Sequence, residues 1–430
     1  YIAGEATIYR YCRKLKPGHY IKIDVGGMQV ASWWQLEEKV KETNTLDEKE
    51  ALRELDSLVH SSVSYSMISD VPLGIFLSGG VDSSLVASVA QQQLSVPVNT
   101  FSIAFEDGKY NEAKFARRVA NHIGSSHHEF TVTENEAIEM VEELMNIYDE
   151  PYGDSSAIPT LLVSKLARKY VTVALSGDGG DELFMGYGFY YWARRLQNPA
   201  ISLLRKPIAG ILAMSGKNRL IRAGKMFEYP VPGKRMSHIF SQEQYYFSEK
   251  EIEKFLTKPG QSNIDNSAFF CDKRLSWAEQ QSFFDIKNYL PEELLVKTDR
   301  ASMYHSLEVR VPLLDHRIVE FAINLPEKFK LKGDVGKYLL KQVLYQYVPK
   351  EIFDRPKWGF AVPLSKWLKR DLKFLLDKYL DPVLLEEAHL VDTSQAIMLK
   401  NKFLQGSDYL YTRIWALVIL HKWYRENHLN

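Results

Sequence analysis

A chain of 430 residues, 45% hydrophobic and 25% charged, has the balance of an ordinary globular protein, and at about 150 residues per domain it has room for two or three domains. Its 54 basic and 54 acidic side chains cancel, which excludes a broad nucleic-acid face built on uncompensated positive charge. The two cysteines, Cys12 and Cys271, exclude a disulfide framework or a cysteine zinc module and favour a reduced, cytoplasmic setting.

Residue 1 is tyrosine rather than methionine, no signal peptide is visible, and folded-looking sequence starts at once. The chain is therefore expected to lack its natural beginning. Residues 20–34 (YIKIDVGGMQVASWW) alternate around Gly26-Gly27 and predict a β-hairpin. A lone hairpin is marginal in water, so these strands are expected within a larger sheet. Residues 46–66 predict a helix with Leu52, Leu55, Leu58 and Val59 on one face.

The texture then changes to strand–turn–helix units. Residues 73–77 (LGIFL) predict a buried strand, followed by a Gly/Ser turn and a helix. Residues 99–105 (NTFSIAF) predict a second strand, and 112–124 an amphipathic helix closed by glycine. Strands are also expected at 129–132 and 171–175 (VTVAL). This alternation predicts a parallel sheet with helices on both faces. From about residue 190 strand signals fade, and segments around 201–215, 281–290, 316–324, 336–347 and 408–427 look helical. The apolar run 414–420 is far too short to cross a bilayer.

Two segments carry chemistry. Residues 77–84 (LSGGVDSS) join a predicted strand to a predicted helix. Gly79 and Gly80 let the backbone fold tightly and turn amides inward as an anion nest, and the helix start adds its positive end. Ser78, Ser83 and Ser84 offer hydroxyl donors to phosphate oxygens. Asp82 does not suit bare phosphate and fits a magnesium ion bridging phosphates. The lysine of a G-x-x-x-x-G-K-[ST] loop is missing, so this is a different phosphate loop. Residues 176–184 (SGDGGDELF) follow the strand VTVAL and crowd Asp178, Asp181 and Glu182 together. Such crowding suits a shared cation, and both loops are expected at the C-terminal edge of the sheet, facing one crevice.

The first segment resembles the pyrophosphate loop, SGGxDS, of the ATP-pyrophosphatase superfamily. The second resembles SG[ED]G[AGS]DE[LV]F of the glutamine-dependent asparagine synthetases. Residues 70–74 (DVPLG), 289–315 (YLPEELLVKTDRASMYHSLEVRVPLLD) and 355–360 (RPKWGF) are similar to further blocks of that family, in the same order. The resemblance spans essentially the whole chain. It implies an α/β fold: a parallel-sheet ATP-pyrophosphatase domain (adenine nucleotide α-hydrolase-like) over 41–195, a mostly helical lobe over 196–430, and an N-terminal β stub, 1–40, left from a glutaminase domain. That missing domain, of roughly 150–200 residues in keeping with single-domain size, would carry the N-terminal cysteine nucleophile. Cys12 cannot replace it, since it is expected inside a strand-like segment with no free amine beside it.

The implied activity is ATP-dependent amidation of a carboxylate through an acyl-adenylate, aspartate to asparagine with ammonia from glutamine. ATP and Mg2+ are the implied cofactors. Leu77 and Ile103 would contact adenine through backbone groups, with Gly177 nearby; Ser78, Gly80, Asp82 and Ser83 would hold the departing pyrophosphate, and Gly79, Ser84 and Ser176 would complete the ATP- and pyrophosphate-binding set. Asp82 and Asp181 would bind magnesium, and Lys357 and Asp178 would be catalytic. Asp178 stands where many relatives have Glu, a form similar to that of enzymes amidating other carboxylates such as surface-polysaccharide sugars. A β-lactam-forming ring closure, a tRNA-modifying activity and a nucleotide-binding partner subunit are the rival readings. The expected partners are a small carboxylate and ammonia, without nucleic acid or membrane, and a homodimer is compatible with them. Asp299 and Arg300 are either an acceptor-site pair or a structural ion pair. His127 and His128 are adjacent in a strand and expected on opposite faces, which argues against a shared metal. Arg117-Arg118 and Arg194-Arg195 read as solvated helix faces.

Overall fold

The computed structural model describes residues 1–41, 45–105, 113–215, 217–229, 232–258, 275–353 and 362–428. At its centre lies a five-stranded sheet of order β5-β4-β3-β6-β7, with every neighbouring pair parallel. The strands are β3 (Leu73–Phe76), β4 (Asn99–Phe105), β5 (Ser126–Val132), β6 (Val173–Leu175) and β7 (Glu308–Arg310). The chain runs outward from β3 through β4 to β5, then returns to the other side of β3 as β6. The switch point therefore lies between β3 and β6, where ligands of open α/β sheets bind.

Helices cover both faces, as the alternation predicts. Helix α1 (Glu48–Ser66) starts at a capping box of Asp47 and Glu50 and buries Ala51, Leu55, Val59 and Val63. Leu52 and Leu58 flank this stripe half-buried. Ile75, Leu77 and Leu175 of the sheet pack with α1, α2 (Val81–Gln92), α3 (Ala113–Ile123) and the helices His316–Asn324 and Tyr338–Leu344. Phe101, Ile103, Phe105 and Ala174 face the opposite way. They pack with α4 (Glu134–Tyr148), α5 (Ala157–Ala167) and the C-terminal helix Tyr411–His428, whose Trp415 and Trp423 are buried.

Three expectations change. The hairpin forms as β1 (His19–Asp24) and β2 (Gly27–Ser32), but as a separate two-stranded sheet. Nearly all of it is exposed, Ile23 at 77% and Val30 at 54%. It is tied down at its base, where Trp33 and Trp34 amides donate to the Gly18 carbonyl and the Trp34 indole donates to Glu320 at 3.0 Å. Cys12 lies exposed beside a single bridge, Ala6 to Arg13, rather than inside a strand; Cys271 falls outside the described residues. The fifth strand, β7, comes from the half whose sequence reads as helical. Three residues are too few to show a period of two, and β7 is held in register by pairing with β6.

His127 and His128 do separate. The first binds Thr100 and Ser102 through its two ring nitrogens, and the second stacks on Phe101 with ring centroids 5.2 Å apart. Among the described residues no helix is long and apolar enough to cross a membrane.

Candidate active site

The two Gly/Asp-rich loops leave the ends of β3 and β6, adjacent strands, and meet above the sheet. After β3, Gly79 takes a left-handed φ of +72°, and a Cβ there would lie 2.5 Å from the Ala116 amide. Gly80 caps α2 and brings no side chain to the first-turn amides. Ser78 and Ser83 hydroxyls lie 3.0 Å apart, and the Ser78 amide donates to Ser83. The turn is thus closed from within, with its serines at the cavity wall.

After β6, the glycines permit contact between the loops. A Cβ on Gly177 would sit 2.5 Å from the Ser83 amide nitrogen, and one on Gly180 would sit 2.4 Å from an Asp82 oxygen. Gly179, at φ +91°, would drive a Cβ to 2.3 Å from Leu314. The result is a cavity of about 660 Å3 lined by Leu77, Ser78, Gly79, Gly80, Asp82, Ser83, Ile103, Ser176, Gly177, Asp178 and Asp181. Ten of these are the residues expected to hold nucleotide and metal, and Asp178 is one of the two expected to be catalytic. Ser84 is placed differently: it is fully buried on α2, behind the loop. Lys357 lies outside the described residues.

Asp82 and Asp181 converge on one point, and a cation stands there. The Lys337 ammonium hydrogen-bonds Asp82 and lies 2.7 Å from an Asp181 oxygen, with the lysine side chain 6% exposed. Burial opposes the charge on Lys337, but the two carboxylates outweigh it and hold the amine protonated well above the usual lysine range. Lys337 has φ +54° and its amide donates to the Phe184 carbonyl, so the backbone is fixed where the side chain is needed. This residue was missed in sequence, since VGKYLLK matches no phosphate motif. Two carboxylates facing a single point suit a magnesium ion that completes its shell with water and phosphate oxygens. No group of three or more such ligands exists among the described residues.

Asp178 is oriented by two hydroxyls. Ser176 and Thr298 both donate to its Oδ2, at 2.9 and 3.0 Å. Beside it Lys297, buried, donates to Asp154 at 3.1 Å and to Ser156 at 2.8 Å. Burial would lower the Lys297 pKa, yet Asp154, Asp178 and Glu293 together raise it. Asp154 is likewise pushed up by burial and pulled below its usual range by Lys297 and Ser156. Glu182 lines the same cavity and accepts from the Tyr187 hydroxyl at 2.7 Å. Burial, then the Asp181 charge, push it up to about 7.

Asp299 and Arg300 are exposed and do not line the cavity; Arg300 pairs with Asp149 at 3.1 Å. On the helix Leu295–Tyr304 it is the preceding pair, Lys297 and Thr298, that faces the site. A π-helix, Asp285–Leu294, leads into it and contains Pro291. Its wider turn shifts the facing positions relative to an α-helical count.

A cavity at the switch point of a parallel sheet lies where open α/β proteins bind their ligands. Residues 54–425 match the sequence model of the asparagine synthase family, and the chain belongs to that family, whose members use ATP. It is 31% identical over 385 residues to glutamine-hydrolyzing asparagine synthetase 1 of Bacillus subtilis (strain 168), covering 86% of this chain and 59% of that protein. A putative glutamine-hydrolyzing asparagine synthetase of Mycobacterium tuberculosis (strain ATCC 25618 / H37Rv) is 28% identical over 438 residues, 99% of this chain and 65% of that one. The Bos taurus glutamine-hydrolyzing enzyme is 27% identical over 359 residues, 80% and 48% respectively. The chain spans roughly half to two thirds of these relatives.

Proposed function

We propose that this chain forms an amide from a carboxylate in two steps driven by ATP, with aspartate as the acceptor and ammonia, drawn from glutamine in the longer protein, as the nitrogen donor. One observation supports this above the rest. The loops after β3 and β6 bring Asp82 and Asp181 onto one cation at the wall of a cavity large enough for a nucleotide. In this reading Leu77, Ile103 and Gly177 hold the adenosine side. Ser78, Gly79, Gly80, Ser83 and Ser176 face the phosphates, and residues 1–40 end the glutaminase part.

In the first step an acceptor carboxylate oxygen attacks the α-phosphorus of ATP. The bond to the bridging oxygen breaks, leaving an acyl-adenylate and pyrophosphate. In the second, ammonia attacks the acyl carbon, AMP departs with the carboxylate's oxygen, and one proton is lost. Asp178, held by Ser176 and Thr298, is the nearby carboxylate that takes this proton. Lys337 and the amides at the start of α2 face the leaving pyrophosphate and stabilise its growing charge, and Lys357 is assigned to the same task. Asp82 and Asp181 would hold magnesium, which would supply Lewis-acid stabilisation of the charge on the phosphates. Holding the reactants in line contributes the remaining rate enhancement.

The test is pyrophosphate release from ATP and Mg2+ with ammonium chloride and a panel of carboxylates. The reading expects release that needs a carboxylate, with aspartate the best of the panel, and near-complete loss in Asp82→Ala. Release with a preferred sugar acid would move the acceptor to the polysaccharide class. No release with any carboxylate would favour a nucleotide-binding subunit.

A further inference from the structure

Acids and bases balance over the whole chain but not along it. Between Glu182 and Glu228 the sequence holds eight Lys and Arg and no Asp or Glu. Four of the eight serve the fold. Arg194, Arg205 and Arg222 donate to the carbonyls of Gly333, Tyr229 and Glu243, and Lys225 pairs with Glu251. The other four, Arg195, Lys206, Lys217 and Arg219, are exposed, and none has an ion pair among the described residues. Arg195 lies over the Trp192 ring at 5.6 Å.

The same segment is apolar on two sides. The helix Arg205–Ala213 packs on the helix Asn218–Lys225. Its Ile208, Ala209 and Leu212 join the core cluster of Tyr190 and Ile239. A helix that covers a core in this way normally turns a polar face to water. Here Pro207, Ile211 and Met214, four and three residues apart, share the outer side, with Leu203 and Leu204 just before them. Leu203 is 84% exposed, Ile211 71% and Met214 88%. Side chains so exposed stand on a crest rather than line a groove, and none of them borders either cavity beside the nucleotide loops. An exposed apolar patch rimmed by polar residues marks an interaction surface.

We propose that this crest rests on an anionic phospholipid surface, with Leu203, Ile211 and Met214 in the boundary between headgroups and acyl chains. Lys206, Lys217 and Arg219 then meet the lipid phosphates. A layer of anionic amphiphiles uses both halves of the pattern, apolar crest and basic flanks. A nucleic acid would leave the crest in water. A protein partner recognises anchors set in well-packed pockets, whereas a fluid lipid layer takes protruding side chains without matching holes. The contact lies on the membrane and does not span it, since no helix among the described residues is long and apolar enough to cross. It amends the expectation of a chain without a membrane partner, and it stands apart from the ligase reading.

Co-sedimentation with vesicles tests it, using phosphatidylcholine alone and phosphatidylcholine mixed with phosphatidylglycerol. The wild type should partition at least tenfold better onto the anionic vesicles, and about 1 M salt should remove that preference, because screening then acts within about 3 Å. Each Lys or Arg near an anionic surface contributes about fivefold. Joint reversal of Lys206, Lys217 and Arg219 to Glu should therefore cost at least about a hundredfold in partitioning. Ile211→Asp with Met214→Asp should cost at least tenfold with native circular dichroism, both side chains being already in water. The same reversal at Lys49, Arg168 and Lys169, exposed elsewhere, should leave most of the binding. No partitioning, equal partitioning onto both vesicles, or equal loss in this last variant overturns the proposal. Heparin binding that depends on the three cations, without vesicle binding, overturns it and gives the surface to a soluble polyanion. A dimer in sedimentation velocity that Ile211→Asp dissolves, again without vesicle binding, overturns it and gives the crest to a second copy.

Discussion

Replacing Lys337 by methionine probes the centre of the site, because the change keeps most of the unbranched side chain, one atom shorter, and removes its charge. In the structure the ammonium is shared by Asp82 and Asp181, each carboxylate side chain only 15% exposed. Two unit charges about 4 Å apart interact by about 4 kcal/mol at an effective dielectric of about 20, so the carboxylates, once bared to one another, repel strongly. Breaking a buried ion pair by removing one partner costs about 3–5 kcal/mol. Lys337→Met should therefore lower the apparent melting temperature in EDTA by several degrees. Magnesium should restore much of the loss, since a cation occupied at a hundred times its Kd adds about 2.7 kcal/mol. Wild type, with its own cation in place, should gain less from magnesium. Pyrophosphate release in the variant should fall by about a hundred- to a thousandfold, the cost of losing one preorganised charge partner. Thermal melts with and without Mg2+, beside the release assay, read all three. A variant that melts like wild type in EDTA, with no added response to magnesium, would refute the shared-cation account.

Further outcomes follow from other contacts. Gly177→Ala places a Cβ 2.5 Å from the Ser83 amide; it should cut pyrophosphate release by at least a hundredfold while circular dichroism stays native, because overpacking of this kind costs about 1–3 kcal/mol. Glu251 binds Arg413 and Lys225 and caps its own helix at Ser248. Burial pushes its pKa up, but the Ser248 amide and the two cations pull it down to about 2. A carboxylate depressed in the folded state stabilises above its unfolded pKa and loses that contribution as pH falls toward the folded one. Glu251→Gln should thus cost about 1–2 kcal/mol at pH 7, allowing for screening, and nothing below about pH 2; urea melts across pH check it. Glu182 has the opposite sign: its pKa of about 7 penalises the folded state as pH rises from about 4.5 to 7. Glu182→Gln should gain stability on wild type at pH 8 and little at pH 5.

The meeting of the two loops at the cavity wall was readable because glycine carries its reason in sequence. Gly79, Gly177 and Gly180 mark places where backbone or carboxylate comes within 3 Å of where a Cβ would stand, and each falls in an uninterrupted local motif behind an apolar strand. Four of the five strands and their parallel arrangement were legible as well, though not the order in which they lie. What escaped has a common cause. Lys337, Asp154 and the pair Glu293 and Lys297 come from three separate segments that only the fold assembles, and although Glu293 and Lys297 fall in the 289–315 block, nothing local marks them as cavity-facing. Asp299 and Arg300, read as either an acceptor-site pair or a structural ion pair, sit two positions beyond Lys297 and Thr298 of the cavity wall, a rotation of about 200° on a helix at 3.6 residues per turn, enough to carry them to solvent. The hairpin's period of two was right, and within this chain its strands pair only with each other, since alternation fixes a strand's conformation and leaves its neighbours undetermined.

The central claim, attack of a carboxylate on the α-phosphorus, is tested most directly by oxygen transfer. With aspartate labelled with 18O in its side-chain carboxylate, ATP, Mg2+ and ammonia, the account predicts one labelled oxygen in each AMP formed and an equal yield of pyrophosphate. Unlabelled AMP, or label recovered in orthophosphate alongside ADP, would contradict it.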